Sequence, residues 1–113
     1  MPASPASSAP VEIPPDGLTL LALGYTNGPV REFSLPRNAA ITASVDQPNN
    51  VTAVLSAPPP AVVTAYLRRA LPAAGFTILG ADASGSALTF AGHGWRGSFT
   101  SDTRASAVLL RPG

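Results

Sequence analysis

After Gly75 the chain is divided into four runs of six residues by connectors too short to cross a sheet, and no other feature narrows its fold as much. The runs are 76–81, 86–91, 95–100 and 105–110. Between them lie Asp82-Ala83-Ser84-Gly85, Gly92-His93-Gly94 and Ser101-Asp102-Thr103-Arg104. Connectors this short, built from turn residues, return the chain beside the strand it has just left, so neighbouring runs pair antiparallel. Side chains alternate between faces along a strand. Phe76, Ile78, Leu88, Phe90, Trp95, Gly97, Phe99, Val108 and Leu110 therefore line one face. Thr77, Thr89, Ser98, Thr100 and Ala107 turn to the other. A meander with one apolar face requires a cover.

The cover comes from the segment just before it. Pro58-Pro59-Pro60 suits a helix start, where amide donors lack partners in any case. In residues 61–74 (AVVTAYLRRALPAA), Val63, Leu67, Ala70, Leu71 and Ala74 share one helical face, with Ala61, Thr64 and Arg68 on the other. Pro72 is expected to kink the last turn, and Gly75 to end it in a left-handed conformation. Upstream, Ile41, Ala43 and Val45 alternate with Thr42 and Ser44, and residues 51–56 (VTAVLS) form a second strand. The two read as a hairpin with a long loop, Asp46–Asn50. Val30–Leu35 is a further strand, Asn27-Gly28-Pro29 a turn, and Gly17–Gly24 too short to decide between strand and helical turn. The resulting fold class is α+β: two layers, one main helix packed on a mainly antiparallel sheet with a C-terminal β-meander. Residues 1–16 hold five prolines among Ala and Ser and read as a disordered tether. Residues 17–113 then form a single domain.

Composition removes several kinds of chemistry. No Cys means no disulfide, thiolate zinc site or cysteine nucleophile, and no Lys means no Schiff base and no P-loop lysine. Seven arginines against six acids leave a net charge of +1, with no electrostatic footprint for nucleic acid. No apolar run approaches the ~20 residues of a spanning helix.

Neither a catalytic residue nor a cofactor emerges. His93 is the single candidate base, with Asp82 or Asp102 to orient it and eleven serines as nucleophiles, but no G-x-S-x-G elbow is present. One His and six scattered acids lack metal-ligand spacing. Flanked by glycines, His93 reads as a turn residue, and acids in hairpin turns usually serve the turn. The most unusual stretch is Gly92-His93-Gly94-Trp95-Arg96-Gly97. As a ligand site, His93, Trp95 and Arg96 would form a platform for a sugar ring or another planar molecule. As structure, Trp95 is a core anchor shielded by Val63, Leu67 and Leu71, and Gly97 is small because the helix passes close; this second reading is preferred. Arg68 and Arg69 lie on the helix, and Arg96, Arg104 and Arg111 come from the sheet. Convergence of several would bind an anionic partner or lipid headgroup, although solvated surface is the commoner outcome.

Leu71-Pro72-Ala73-Ala74-Gly75-Phe76 and Phe90-Ala91-Gly92-His93-Gly94-Trp95-Arg96-Gly97 resemble segments of small extracytoplasmic domains found in lipoproteins and secreted proteins of actinobacteria. The resemblance spans Pro58–Arg111 and brings no catalytic residue. It implies an extracytoplasmic location, with a lipid anchor in the precursor as one arrangement. The expectation is a non-enzymatic cell-envelope domain that binds a protein or small-molecule ligand. The alternatives are a structural domain that homodimerises through sheet edges, and a cryptic hydrolase using the turn carboxylates.

Overall fold

The computed structural model describes residues 12–82, 87–102 and 104–113. Two short strands, β1 (Gly17–Thr19) and β2 (Ser34–Pro36), are followed by β3 (Ala40–Gln47) and β4 (Asn50–Ala57). After the helix α1 (Pro60–Ala73) come β5 (Thr77–Ala81), β6 (Ala87–Gly92), β7 (Trp95–Ser101) and β8 (Ser106–Pro112). The six longer strands form one antiparallel sheet in the order β3-β4-β8-β7-β6-β5, and β1 pairs with β2 separately. The C-terminal strand β8 therefore lies inside the sheet and joins the early hairpin to the meander.

Strands β6, β7 and β8 follow the expected alternation, whereas β5 departs from it at a bulge between Ile78 and Gly80. Leu88, Phe90, Phe99, Val108 and Leu110 are buried beneath the helix layer, together with Val51, Ala53 and Leu55 of β4. Phe33 stacks on Phe90 (centroids 5.6 Å apart, rings 5° from parallel), and Phe76 meets both edge-on. A Cβ on Gly97 would run into the Phe90 ring and Leu110 Cδ2, so the cross-strand aromatic, and not the helix, requires glycine there. The β3–β4 ladder continues to Gln47 opposite Asn50, leaving only Pro48 and Asn49 at the tip in place of the long loop expected.

The helix buries Val63, Leu67, Ala70 and Leu71 as its period demands. Thr64, expected outside, is also buried, because α1 is covered on a second flank by the β1–β2 hairpin. Tyr66 points to that flank, and its hydroxyl lies 2.6 Å from Ser34 Oγ. A side chain on Gly17 would occupy the same space as that hydroxyl. Pro72, exposed in the last turn, leaves the helix assigned through to Ala73.

The helix C-terminus shows where orphan carbonyls go. Gly75 (φ +92°) reverses the chain, its N–H donating to the Pro72 oxygen (3.1 Å) and that of Phe76 to Leu71 (2.9 Å), the paired bonds of a Schellman motif. Glu12 N–H donates to Ala73 (3.1 Å) and His93 Nε2–H to Ala74 (2.7 Å). Glu12–Asp16, read from the sequence as the end of a tether, thus lie along the helix. Ile13 packs on the core and the Asp16 carboxylate pairs with Arg69 (2.9 Å). The rest of the expected tether, 1–11, lies outside the described residues.

Candidate functional site

The sheet's second face has no layer over it among the described residues. Along it the register aligns Thr52, Leu109, Ser98, Thr89 and Gly80 in one row from β4 to β5. A bulge between Ile78 and Gly80 makes Leu79 the extra residue of β5, and its side chain is 53% exposed. Bulges re-aim side chains in this way. Gly80 in turn sits opposite Thr89, whose Oγ1 a Cβ there would crowd at 3.2 Å. Leu79, Thr89, Ser98, Leu109 and Pro112 line a groove of about 520 Å³ together with Arg96 and Arg111.

Arg96 and Arg111 are direct partners across β7 and β8, both exposed. Neither makes a side-chain hydrogen bond or ion pair with a described residue. No Asp or Glu stands in any strand from β4 to β8. Like charges placed directly opposite on a sheet destabilise it, and no ion pair with a described residue offsets that cost here. In both strands the arginine is out of phase with the buried residues, Gly97 and Phe99 in β7 and Val108 and Leu110 in β8, which places the pair on the open face. Two residues along each strand, about 7 Å, separate the guanidinium row from the Ser98–Leu109 row.

The three residues marked from the sequence as a platform fall on different faces. His93 and Gly94 form the two-residue β6–β7 turn with φ of 55° and 81°. Both central positions of such a hairpin turn need positive φ, which His tolerates better than most side chains and Gly adopts freely. The His93 ring caps the helix at Ala74 and meets Phe76 edge-on at 5.0 Å. Trp95 is half-buried and packs on the margin of the core on the helix side. Arg96 alone of the three reaches the groove. Sequence reasoning named Arg111 only within a wider set of arginines and missed Leu79, Thr89, Ser98 and Leu109.

Other polar residues serve local structure. Asp102 Oδ1 accepts the N–H groups of Arg104 and Ala105, both at 2.8 Å, shaping the β7–β8 turn; these bonds, that of Arg104 first, hold its carboxyl below the usual value of 3.8. Asp46 accepts from the Thr26 N–H and hydroxyl and from the backbone and side-chain N–H groups of Asn27. The carboxyl is again lowered, with the Thr26 N–H the largest cause, and the loop before β2 is pinned to the edge strand β3. Arg104 belongs to the far end of the meander, Arg68 and Arg69 to the helix. Among the described residues no three or more His, Cys, Asp or Glu side chains gather where they could hold a metal ion, and no described helix is long and apolar enough to cross a membrane. No protein-family model, curated protein or solved structure matches the chain.

Proposed function

We propose that the chain is a non-enzymatic binding domain of the cell envelope and that its open sheet face receives the ligand. The observation that carries this reading is the Arg96–Arg111 pair, two facing cations on strands that hold no Asp or Glu, beside a groove of small-molecule size. Sites of this kind combine apolar walls with a few convergent polar groups, here Leu79 and Leu109 at opposite ends of the groove with Thr89 and Ser98 between them and the arginines beside them. The Pro/Ala/Ser-rich beginning of the sequence and the likeness to extracytoplasmic domains support the envelope location. The hydrolase alternative has less support, since Asp102 and His93 are engaged in the turn and the helix cap.

Titrating the isotope-labelled chain with a library of neutral small fragments tests the face. Amide shifts concentrated at Leu79, Thr89, Ser98 and Leu109 are expected. Shifts that cluster instead on the helix side, or concentration-dependent broadening along β3 as a dimer forms, would replace this reading with a different surface or with edge-to-edge assembly.

A further inference from the structure

We infer that the ligand of the groove is a small amphiphilic anion, a phosphate monoester on an apolar body, with the phosphate between Arg96 and Arg111 and the body along Leu79 and Leu109. The inference rests on the open face being the binding face. Its first ground is charge. Two facing guanidiniums, on strands that hold no Asp or Glu and with no ion pair to a described residue, call for a ligand of charge near −2. A phosphate monoester carries about −1.5 to −2 at neutral pH on three acceptor oxygens, enough to meet both forks. A carboxylate, with one negative charge, leaves one guanidinium uncompensated.

The second ground is shape. The groove extends past the arginines to the Ser98–Leu109 row and on to Leu79, which the β5 bulge lifts out of the regular pleat. An anion alone fills only the guanidinium end; an apolar segment reaching some 7 Å further along the strands covers Leu109, and one that also reaches Leu79 crosses β7 and β6, roughly 14 Å, while Thr89 and Ser98 lie between the two leucines to bond a polar atom along it. A membrane surface is the poorer match. Electrostatic adsorption to anionic lipid uses clusters of four to eight basic residues, whereas this face has two, the remaining arginines lie elsewhere, and the net charge is +1. The occupant is accordingly a single molecule taken from solution.

The experiment titrates the full chain with four probes: inorganic phosphate, hexyl phosphate, hexanoate and phosphatidylglycerol vesicles. Hexyl phosphate is expected to shift the amides of Thr89, Ser98 and Leu109 and to bind roughly tenfold more tightly than inorganic phosphate, through partial burial of its chain. Hexanoate should be weaker than hexyl phosphate by a similar factor. Arg96→Gln or Arg111→Gln should each weaken hexyl phosphate roughly tenfold while leaving the melting temperature unchanged or raised, because the repulsive pair is relieved. Equal binding of inorganic and hexyl phosphate, equal binding of hexanoate, binding to vesicles alone, or indifference to both substitutions would each overturn the inference. If neutral fragments map to the groove and no phosphate probe binds, the ligand class fails and the binding face stands. If neither binds, both fail.

Discussion

On one face of the sheet Phe90 is fully enclosed, stacked on Phe33 and edge-on to Phe76; one residue earlier, on the other face, Thr89 stands in solvent beside Ser98. The same strands supply both environments, and the pleat alone separates them. The covered face is closely fitted: Gly97 has no side chain because the Phe90 ring lies over it, and beyond it, in the β1–β2 pair, Gly17 has none because the Tyr66 hydroxyl takes that space. On the open face Arg96 faces Arg111 without an acid between them. Close fit is concentrated on one side of the sheet and an unfavourable charge pair stands on the other. Substitutions on the two faces should then separate cleanly.

The sharpest separation is at adjacent residues. Phe90→Ala should cost about 3–5 kcal/mol through lost burial and the cavity left among Phe33, Phe76 and Gly97, a large share of the roughly 5–15 kcal/mol such a domain has. Thr89→Ala should stay within about 0.5 kcal/mol. Denaturant titration of the pair would break the comparison if the two costs came within a kcal/mol of each other. Trp95, at the margin of the covered face, should fall between. Half-burial of an indole corresponds to about 2 kcal/mol on truncation, with native emission between buried and free indole and partial quenching by acrylamide. Full quenching with an unchanged melting point would detach Trp95 from the core. The smallest effect concerns acid. The Asp46 carboxyl is lowered in the folded state, chiefly by the Thr26 N–H, so its contribution is complete above the unfolded value and is lost as pH falls through the folded one. Asp16, held low by Arg69, and Asp102, held low by the Arg104 N–H, act in the same direction. Melting temperature should therefore fall below about pH 4, and Asp46→Asn should flatten that fall without abolishing it. An unaltered slope in the variant would remove the Asp46 clamp from the account.

The meander is legible in the sequence because its connectors carry turn chemistry and β6, β7 and β8 keep an unbroken alternation. The helix is legible for the same local reasons, down to Gly75 as its terminator. The β1–β2 hairpin is not. Its strands are three residues long, and it is held by Ser34 against Tyr66 and by Gly17 beneath the Tyr66 hydroxyl, contacts between segments with no pattern in common. Periodicity puts Thr64 on the outer side for the same reason, since a second cover on the helix leaves no periodic trace. At the site, strand phase already turns Arg96 and Arg111 outward. Whether they meet depends on the register of the 101–106 turn, which the Asp102 side chain helps to set and which spacing alone leaves open. The Leu79 bulge has no sequence signal beyond the neighbouring Gly80, and without it the groove loses one wall.

The position of β8 also bears on how the chain reaches this structure. The β3–β4 hairpin and the β5–β6–β7 group share no ladder of their own, and every strand-to-strand hydrogen bond linking them runs through β8. Its pairing with β7 is local, whereas its pairing with β4 closes a loop containing α1 and three strands. Loop closure of that length must precede any gain from the contacts it brings. The β3–β4 hairpin and the β5–β6–β7–β8 meander each pair locally, and the ladder that joins them, Val108 and Leu110 beside Ala53 and Val51, is a contact of high sequence separation expected to form after the local ones. Until that ladder forms, the facing edges of β4 and β8 are both open to pairing with another chain, a hazard that ends when the two edges meet.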